Sequence, residues 1–245
     1  EVFLKIKKKI ICLICCRGGS KTIKNKNIKK FNGKPLLIWS LENIKKSKIF
    51  DRIILSTDSS KIVKIAKKIK GIEIPGLRPK KLATSNSNQF ETHNYIFKKL
   101  KINNDNAVAC VVNNNPFIKV NLIKKSYQIF KKQNFKGLVT DAARVDGDYL
   151  AWKQCKKKGT SLNYIFKKRF LSIKLNRQKL TPAYVNIFNL RWGKPSFLAS
   201  YNSYKRQLIR GDNSFIELKK KENFDIDDQE DWQISETIHK KYYCD

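Results

Sequence analysis

A small cationic segment that contains two glycines follows directly on an apolar run near the N-terminus. The apolar run covers residues 10–16. The segment after it reads Arg17-Gly18-Gly19-Ser20-Lys21. An apolar run without polar alternation is typical of a strand buried on both faces. Paired glycines let a ligand approach the backbone and its N–H groups, and the two cations suit phosphate. The sequence therefore predicts a phosphate-binding turn, with Arg17 and Lys21 as its cations.

This turn differs from a Walker A loop. That loop has glycine immediately before its lysine and again five residues earlier. Here Ser20 and Cys15 occupy those positions, so we exclude a P-loop NTPase. A glycine turn alone is also compatible with an ordinary strand-to-helix connection, and the phosphate hypothesis therefore depends on other segments of the chain.

Two aspartates near the C-terminus have the spacing of a cation site. Asp225 and Asp227 flank Ile226, and residues two apart in an extended segment lie on one face. Two carboxylates on one face can share a hard cation such as Mg²⁺. The spacing leaves a second interpretation open, in which these acids and Asp228 only decorate the N-terminus of the last helix. We expect Asp228 itself to cap that helix.

Further short segments follow the glycine turn along most of the chain. They are Lys26-Asn27, Gly-Lys-Pro-Leu at 33–36, Ser-Thr-Asp at 56–58, Leu-Arg-Pro at 77–79, Leu-Ala-Thr at 82–84 and Asp-Ile-Asp-Asp-Gln-Glu-Asp at 225–231. In this order and spacing they resemble the acylneuraminate cytidylyltransferases, enzymes that join CTP to a nine-carbon α-keto acid sugar. The resemblance spans nearly the whole chain, and the series is far more specific than any one match.

The resemblance implies a substitution at phosphorus. The anomeric hydroxyl of an acidic nine-carbon sugar attacks the α-phosphorus of CTP, and pyrophosphate leaves. Mg²⁺ on Asp225 and Asp227 would polarise the α-phosphate. The resemblance thus makes Arg17, Lys21 and Asp227 the candidate catalytic residues. Cations and backbone N–H groups would hold the triphosphate. The nucleotide-binding residues that match the family are Arg17, Gly18, Gly19, Ser20, Lys21, Lys26, Asn27, Arg78, Ala83 and Thr84. For Arg78, a solvated side chain in a proline-rich loop is the alternative.

The sugar end of the chain departs from the sialate pattern. Sialate enzymes carry Gln-Pro-Thr-Ser-Pro-Leu-Arg after the central strand, whereas residues 112–118 read Val-Asn-Asn-Asn-Pro-Phe-Ile. Residues 180–184 and Asp231-Trp232 are closer to the pseudaminic acid branch, which we therefore favour over legionaminate and sialate. The candidate sugar-binding residues are Asn114, Arg177, Gln178 and Tyr184.

Alternating strand and helix patterns place the candidate residues at strand ends. We predict a single α/β nucleotidyltransferase domain over residues 1–245, with a three-layer, mostly parallel, Rossmann-like sheet and ligands at the carboxyl ends of its strands. Apolar runs predict strands at residues 10–16, 52–57, 72–74, 107–112 and 137–140. Periodic apolar positions predict helices from Pro35, after Asp58 or Ser59, at 89–100 and at 122–132.

Residues 146–181 interrupt this alternation. Their pattern favours a projecting hairpin or arm, and in the resembled family such an insert mediates dimerisation. The resemblance therefore implies a homodimer, with a loose surface excursion as the alternative.

The chain is strongly basic, with a formal charge of +33 from 53 Lys and Arg against 20 Asp and Glu. Such a charge is typical of nucleic-acid binding. The basic residues are spread along the whole length, however, and no DNA- or RNA-binding motif accompanies them. We expect no nucleic-acid partner and keep a non-catalytic, nucleic-acid-binding homologue as the alternative from another class. Within enzymes, the alternative is a cytidylyltransferase for an eight-carbon keto acid sugar or a related sugar nucleotidyltransferase.

Cysteine usage and hydropathy favour the cytoplasm. The chain has six cysteines, mostly inside apolar runs, which is typical of reduced thiols. Cys12 and Cys15 should point to opposite faces of a strand, so joint metal ligation or redox chemistry is not expected. His93 and His239 are the two histidines of the sequence, which excludes a histidine-rich metal site. The N-terminal apolar stretch is too short to span a membrane, and we expect no membrane partner.

Overall fold

The computed structural model of the chain is built around one seven-stranded sheet. The structure describes residues 8–20, 22–145, 152–154, 162–164, 183–209 and 213–243. Lys21, Arg177 and Gln178 lie outside the described residues, as does most of the predicted arm at residues 146–181. The roles predicted for these residues therefore stay predictions.

Strands and helices alternate along the first half of the described chain. The strands are β1 (Lys9–Cys15), β2 (Lys30–Phe31), β3 (Lys34–Pro35), β4 (Arg52–Ser56), β5 (Ile72–Glu73), β6 (Ala107–Val112), β7 (Leu138–Val145), β8 (Trp152–Gln154), β9 (Leu162–Tyr164), β10 (Ala183–Gly193) and β11 (Asn213–Leu218). The α-helices are α1 (Leu36–Lys46), α2 (Ser60–Ala66), α3 (Gln89–Lys99), α4 (Val120–Lys132), α5 (Pro195–Leu198), α6 (Tyr201–Ile209) and α7 (Gln229–Tyr243). None of the helices in these ranges is long and apolar enough to cross a lipid bilayer.

The large sheet has the strand order β11-β7-β10-β6-β1-β4-β5. β10 runs antiparallel to both of its neighbours, and the other pairs are parallel. Helices α1, α2 and α4 pack on one face, whereas α3, α5 and α6 pack on the other. The predicted three-layer, mostly parallel α/β fold is confirmed. The carboxyl ends of β1, β4 and β6 therefore meet at one edge, which is where such folds bind ligands.

The first strand is buried on both faces, as its unbroken apolar run predicts. Leu13 packs with Phe90 of α3, and Ile14 packs with Leu37 of α1 on the opposite face. Cys12 belongs to the α1 side, whereas Cys15 packs against the α3 side. The expectation that these two side chains point to opposite faces of the strand is confirmed.

Most element boundaries lie close to those predicted. Ser59 caps α2, because its side chain accepts a hydrogen bond from the Ile62 N–H. The strand predicted at residues 137–140 continues to Val145, since it pairs with both β10 and β11. Neither β10 nor β11 was predicted, and each contains polar residues that interrupt a simple apolar alternation.

A bulge in β10 turns its side chains at the ligand-binding edge of the sheet. The register with β7 shifts between Asn186 and Arg191, and Phe188 has a φ of 63°. The buried Asp141 carboxylate accepts hydrogen bonds from the Asn189 and Leu190 N–H groups, at 3.2 and 3.1 Å. These bonds satisfy the backbone groups that the bulge removes from the ladder.

Candidate active site

A cavity of about 600 Å³ opens at the carboxyl ends of β1, β4 and β6. It collects most of the described residues that the sequence singled out, from segments far apart in the chain. Those that line it are Arg17, Gly19, Ser20, Lys26, Asn27, Arg78, Ala83, Thr84, Asn114, Asp225 and Asp227. Gly18 lies between two of these lining residues.

The glycine turn is tied to the end of β4. The Gly18 N–H donates to Asp58 Oδ1 at 2.9 Å, and a Cβ on Gly18 would lie 2.8 Å from Ser59 Cβ. Position 18 therefore requires glycine because of close approach, and its N–H serves the turn itself. Gly19 has open space around it, and within the described part of the chain its N–H and that of Ser20 have no partner. These two N–H groups can bind an anion.

A chain of hydrogen bonds through two asparagine side chains, which we call the relay, supports the glycine turn. Asn27 Nδ2 donates to the Arg17 carbonyl at 2.8 Å. Asn114 Nδ2 donates to Asn27 Oδ1 at 2.8 Å, and Asn114 Oδ1 accepts from Ser40 Oγ at 2.8 Å. The relay thereby joins the turn to the end of β6 and to α1. Arg17 also bonds across the cavity, from Nη1 to the Thr84 carbonyl at 3.3 Å.

Arg78 is a buried cation at the cavity wall. It is 7% exposed, its Nη2 lies 3.7 Å from Asp58 Oδ1, and its Nε has no hydrogen-bond partner among the described residues. The alternative of a solvated arginine in a proline-rich loop is therefore wrong. Buried donors without partners cost free energy, so a ligand acceptor at this wall would be favourable.

Asp225 and Asp227 both line the cavity, and Ile226 between them is 3% exposed. Ile226 is buried while Asp225 and Asp227 are exposed, as expected if the two acids lie on one face of an extended segment. Lys26 Nζ donates to the Ile226 carbonyl and lies 3.8 Å from Asp227 Oδ1, while Thr22 Oγ1 donates to the Asp227 carbonyl. The loop after β1 thus holds the acidic segment beside the turn.

Helix α7 is capped by a different pair of acids. Asp228 Oδ1 accepts from the Asp231 N–H at 2.9 Å, and Asp231 Oδ2 accepts from the Asp227 and Asp228 N–H groups at 2.9 and 3.2 Å. The cap predicted for Asp228 is confirmed, and the arrangement is a reciprocal capping box. The carboxylates of Asp225 and Asp227 take no part in this cap, and Asp225 Oδ1 accepts from the Ile226 N–H at 2.9 Å.

The donor set of the cavity suits a hard cation that also binds phosphate. Among the described residues, no group of three or more His, Cys, Asp or Glu side chains could hold a metal by itself. Mg²⁺ is usually held by one or two carboxylates together with substrate phosphates and water. Asp225 and Asp227 could supply those two carboxylates.

Sequence inspection missed three residues at the other wall. Gln89 and His93 of α3 line the cavity, and the 1% exposed Arg191 of β10 donates from Nη2 to Gln89 Oε1 at 2.7 Å. Burial, and then the charge of Arg191, lower the pKa of His93 to about 3. Burial also lowers the pKa of Arg191. The one sequence signal was a cation within an apolar strand, Leu190-Arg191-Trp192.

Two other side chains do not act as reactive groups of this cavity. Cys15 lines it, but burial raises the pKa of its thiol to about 11, so no thiolate forms near neutral pH. Tyr184, a candidate sugar ligand, is not among the lining residues. Its ring is 4.6 Å from that of Phe215, and its hydroxyl lies 3.3 Å from Glu217 Oε2. Of the described sugar-site candidates, Asn114 lies in the cavity wall.

Comparison with known proteins agrees with this geometry. A pseudaminic acid cytidylyltransferase of Campylobacter jejuni subsp. jejuni serotype O:23/36 (strain 81-176) is 36% identical over 132 residues, which are 53% of this chain and 56% of the relative. A CMP-N,N'-diacetyllegionaminic acid synthase of Campylobacter jejuni subsp. jejuni serotype O:2 (strain ATCC 700819 / NCTC 11168) is 48% identical over 59 residues, 24% of this chain and 25% of the relative. The matches thus span between a quarter and little more than half of these relatives.

A solved structure supports the fold. The CMP:2-keto-3-deoxy-manno-octonic acid synthetase complexed with CTP superposes with a TM-score of 0.68 and 11% identity, covering 96% of this chain and 99% of that one. The family model described as Cytidylyltransferase matches residues 11–179, a span that runs from β1 through the glycine turn and the Arg78 wall. The fold, the cavity and this match lead to one conclusion: the chain belongs to the cytidylyltransferase family.

Proposed function

We propose that the chain transfers CMP from CTP to the anomeric hydroxyl of a nine-carbon α-keto acid sugar and releases pyrophosphate. One observation carries this proposal. The glycine turn and the acids Asp225 and Asp227, 205 residues apart at the Thr22–Asp227 contact, line a single cavity. A cation-rich turn opposite paired carboxylates is an arrangement that suits nucleoside triphosphate chemistry.

The turn would hold the phosphates. The N–H groups of Gly19 and Ser20, which have no partner among the described residues, and the guanidinium of Arg17 supply donors on one side of the cavity. Lys21 adds a further cation by resemblance. Asn27 and Asn114 fix the carbonyl side of the turn, so that its N–H groups stay oriented. Donors that are fixed before the reaction stabilise developing negative charge without reorganisation.

Asp225 and Asp227 would hold Mg²⁺, which when bound polarises phosphate oxygens and screens their charge. Lys26 keeps the segment in place through the Ile226 carbonyl and offsets part of the charge of Asp227. In the reaction, the anomeric hydroxyl loses its proton to water as its oxygen forms a bond to the α-phosphorus. The bond from the α-phosphorus to the bridging oxygen breaks, and that oxygen leaves with pyrophosphate.

For the sugar, we favour pseudaminate over legionaminate and sialate. Relatives named for pseudaminic and legionaminic acid support a nonulosonate. Asn113 and Asn114 line the cavity at the segment where the sialate pattern has its glutamine. Arg177 and Gln178 are proposed to reach the sugar from the region of residues 146–181, which we propose to form the homodimer contact of a cytoplasmic enzyme. Light scattering on the purified chain would give its mass in solution.

The test is pyrophosphate release from CTP and Mg²⁺ with pseudaminate, legionaminate, sialate and the eight-carbon acid in parallel. We expect turnover with one nine-carbon sugar, and loss of turnover in Asp227→Ala. Glu230→Ala is the matched control, because it removes a carboxylate three residues away on the exposed start of α7.

Three outcomes would contradict the proposal. Turnover with the eight-carbon acid alone would assign another sugar class. Equal activity of Asp227→Ala and Glu230→Ala would remove the acid site from the mechanism. No pyrophosphate release with any sugar, together with tight and salt-dependent oligonucleotide binding, would favour the non-catalytic alternative.

A further inference from the structure

One face of α3 presents two hydrogen-bonding side chains to the cavity. Gln89 and His93 are four residues apart, so they are neighbours on the helix surface. Both line the cavity beside Ala83 and Thr84, the segment that the resemblance assigns to the nucleotide. The chemistry of this face is neutral, unlike that of the glycine turn and the acidic segment.

His93 has a fixed tautomer. Its Nδ1 lies 2.8 Å from the Leu198 carbonyl oxygen, which can only accept, so Nδ1 carries the hydrogen. The ring stays neutral because it is buried and lies near the charge of Arg191. Nε2 is therefore a hydrogen-bond acceptor at neutral pH.

Gln89 has a fixed amide orientation. Arg191 has donors and no acceptor, so its Nη2 contact of 2.7 Å must be made to the oxygen of the amide, Oε1. The amide nitrogen Nε2 then points away from Arg191, and it has no hydrogen-bond partner in the part of the chain that the structure describes. Arg191 is itself immobilised, since its guanidinium carbon lies 5.2 Å from the ring centre of Phe188 and 5.9 Å from those of Phe90 and Tyr204.

We propose that Gln89 and His93 recognise the base of the bound nucleotide, and that Arg191 is a positioning residue that holds Gln89 with its donor toward the base. This inference rests on the proposed function, because it takes the cavity to bind CTP. The pair offers one donor and one acceptor. Cytosine offers the complementary set, an amino donor at N4 and acceptors at N3 and O2.

Uracil reverses this pattern at two positions. Its O4 would face the lone pair of His93, and its N3–H would face the amide donor of Gln89. A site built to pair with a polar group discriminates strongly against a ligand that leaves that group unpaired. The arrangement therefore favours CTP over UTP. Gln89 is fixed by the buried Arg191 and His93 by the Leu198 carbonyl, rather than by the nucleotide.

The test compares CTP with UTP in the full chain. The readouts are kcat/KM for pyrophosphate release with the accepted sugar, and the Kd of each nucleotide by calorimetry without sugar. Gln89→Glu replaces the donor by an acceptor of the same shape, and we expect it to lower the CTP-to-UTP ratio by about tenfold or more. His93→Leu should lower the ratio by a similar factor. Lys98→Gln, at an exposed position of the same helix, is the control and should leave the ratio unchanged.

The positioning role of Arg191 is tested by combining its substitution with one of Gln89. Arg191→Leu should lower the ratio several-fold, and it should have no further effect in a Gln89→Leu background if it acts only by positioning. Thermal melting separates this effect from loss of the fold.

The outcomes distinguish the two proposals. An active enzyme whose ratio is unchanged in both Gln89→Glu and His93→Leu would overturn base recognition and leave the proposed function standing. An effect confined to the KM of the sugar would also overturn it, by assigning the pair to the sugar. Absence of nucleotide binding and turnover in the unaltered chain would overturn both.

Discussion

The two walls of the cavity use charge in opposite ways. The charged wall, formed by the turn at residues 17–20 with Lys26, Asp225 and Asp227, presents ionic groups to solvent, and the Asp227 side chain is 80% exposed. The neutral wall, formed by Gln89 and His93, presents uncharged groups. The cation that holds Gln89, Arg191, lies behind the wall and is 1% exposed. The charged wall can therefore meet phosphates and a cation, whereas the neutral wall can only select hydrogen-bond partners.

The difference follows from what burial does to a charge. Exposed carboxylates keep their charge at little cost and can exchange water for a metal or for phosphate-bound Mg²⁺. A buried guanidinium pays a large desolvation penalty and is then held firmly by the few groups that satisfy it. Arg191 donates from Nη2 to Gln89 and has aromatic rings around it, while its Nε and Nη1 have no hydrogen-bond partner among the described residues. The bond to Gln89 therefore fixes the orientation of that amide.

The largest expected effect is on the charged wall. Asp225→Asn keeps the shape of the side chain but removes one ionic ligand, and we expect kcat/KM for CTP to fall about 100-fold or more. The Mg²⁺ concentration needed for half-maximal activity should rise. Titrating Mg²⁺ in the pyrophosphate assay measures both effects.

Asp228→Asn is the matched control for that experiment. It makes the same chemical change three residues away, and asparagine caps a helix as well as aspartate does. Activity within about twofold of the unaltered chain is expected for Asp228→Asn. Equal losses in the two variants would mean that Asp225 contributes only general negative charge, and the distinction between the two walls would lose its chemical basis.

The charged wall could be predicted from the sequence because its residues form contiguous motifs. Gly18, Asn27 and Asp225 each belong to a short segment whose residue types limit the possible chemistry. The sequence could not show that the Gly18 N–H donates to Asp58 and is therefore not available to a ligand. That bond depends on how close the ends of β1 and β4 lie. The strand-helix alternation predicted the fold up to β7 for the same reason, because each element there has its own local pattern.

The neutral wall could not be predicted, because it depends on tertiary contacts between residues that are far apart in the sequence. Gln89 and Arg191 are 102 residues apart, and His93 is set by the Leu198 carbonyl, 105 residues away. β10 itself was missed because Asn186, Asn189 and Arg191 interrupt its apolar pattern. The bulge that makes these polar residues acceptable depends on Asp141 of a neighbouring strand.

The second expected effect concerns the neutral wall and pH. The pKa of His93 is lowered from 6.5 to about 3, so between these values the unfolded chain binds a proton that the native chain does not. The free energy of unfolding therefore falls as pH falls below 6.5, by about 2 kcal/mol at pH 5 from this group. Urea denaturation at pH 7 and at pH 5 measures the change.

His93→Gln isolates that contribution. The variant lacks the titrating ring but retains His239, so its loss of stability between pH 7 and pH 5 should be about 2 kcal/mol smaller than that of the unaltered chain. An identical pH dependence in the two proteins would show that His93 protonates freely in the native state. A charged His93 would make the second wall ionic as well, and the contrast between the walls would fail.

The smallest expected effect separates two neighbouring glycines of the charged wall. Gly18→Ala places a Cβ 2.8 Å from Ser59 Cβ, whereas Gly19→Ala meets nothing within 4 Å. Neither glycine has a φ in the left-handed region, so both substitutions restrict the unfolded chain alike and differ only in this contact.

We expect Gly18→Ala to lower the free energy of unfolding by about 1.5 kcal/mol and Gly19→Ala to change it by less than about 0.5 kcal/mol. The free energy of unfolding, from urea denaturation, and the affinity for CTP should fall together in Gly18→Ala, because Asp58 holds the turn that positions the N–H groups. Equal stability of the two variants would mean that the turn moves freely from the end of β4, and the charged wall would then owe its order to the nucleotide rather than to the fold.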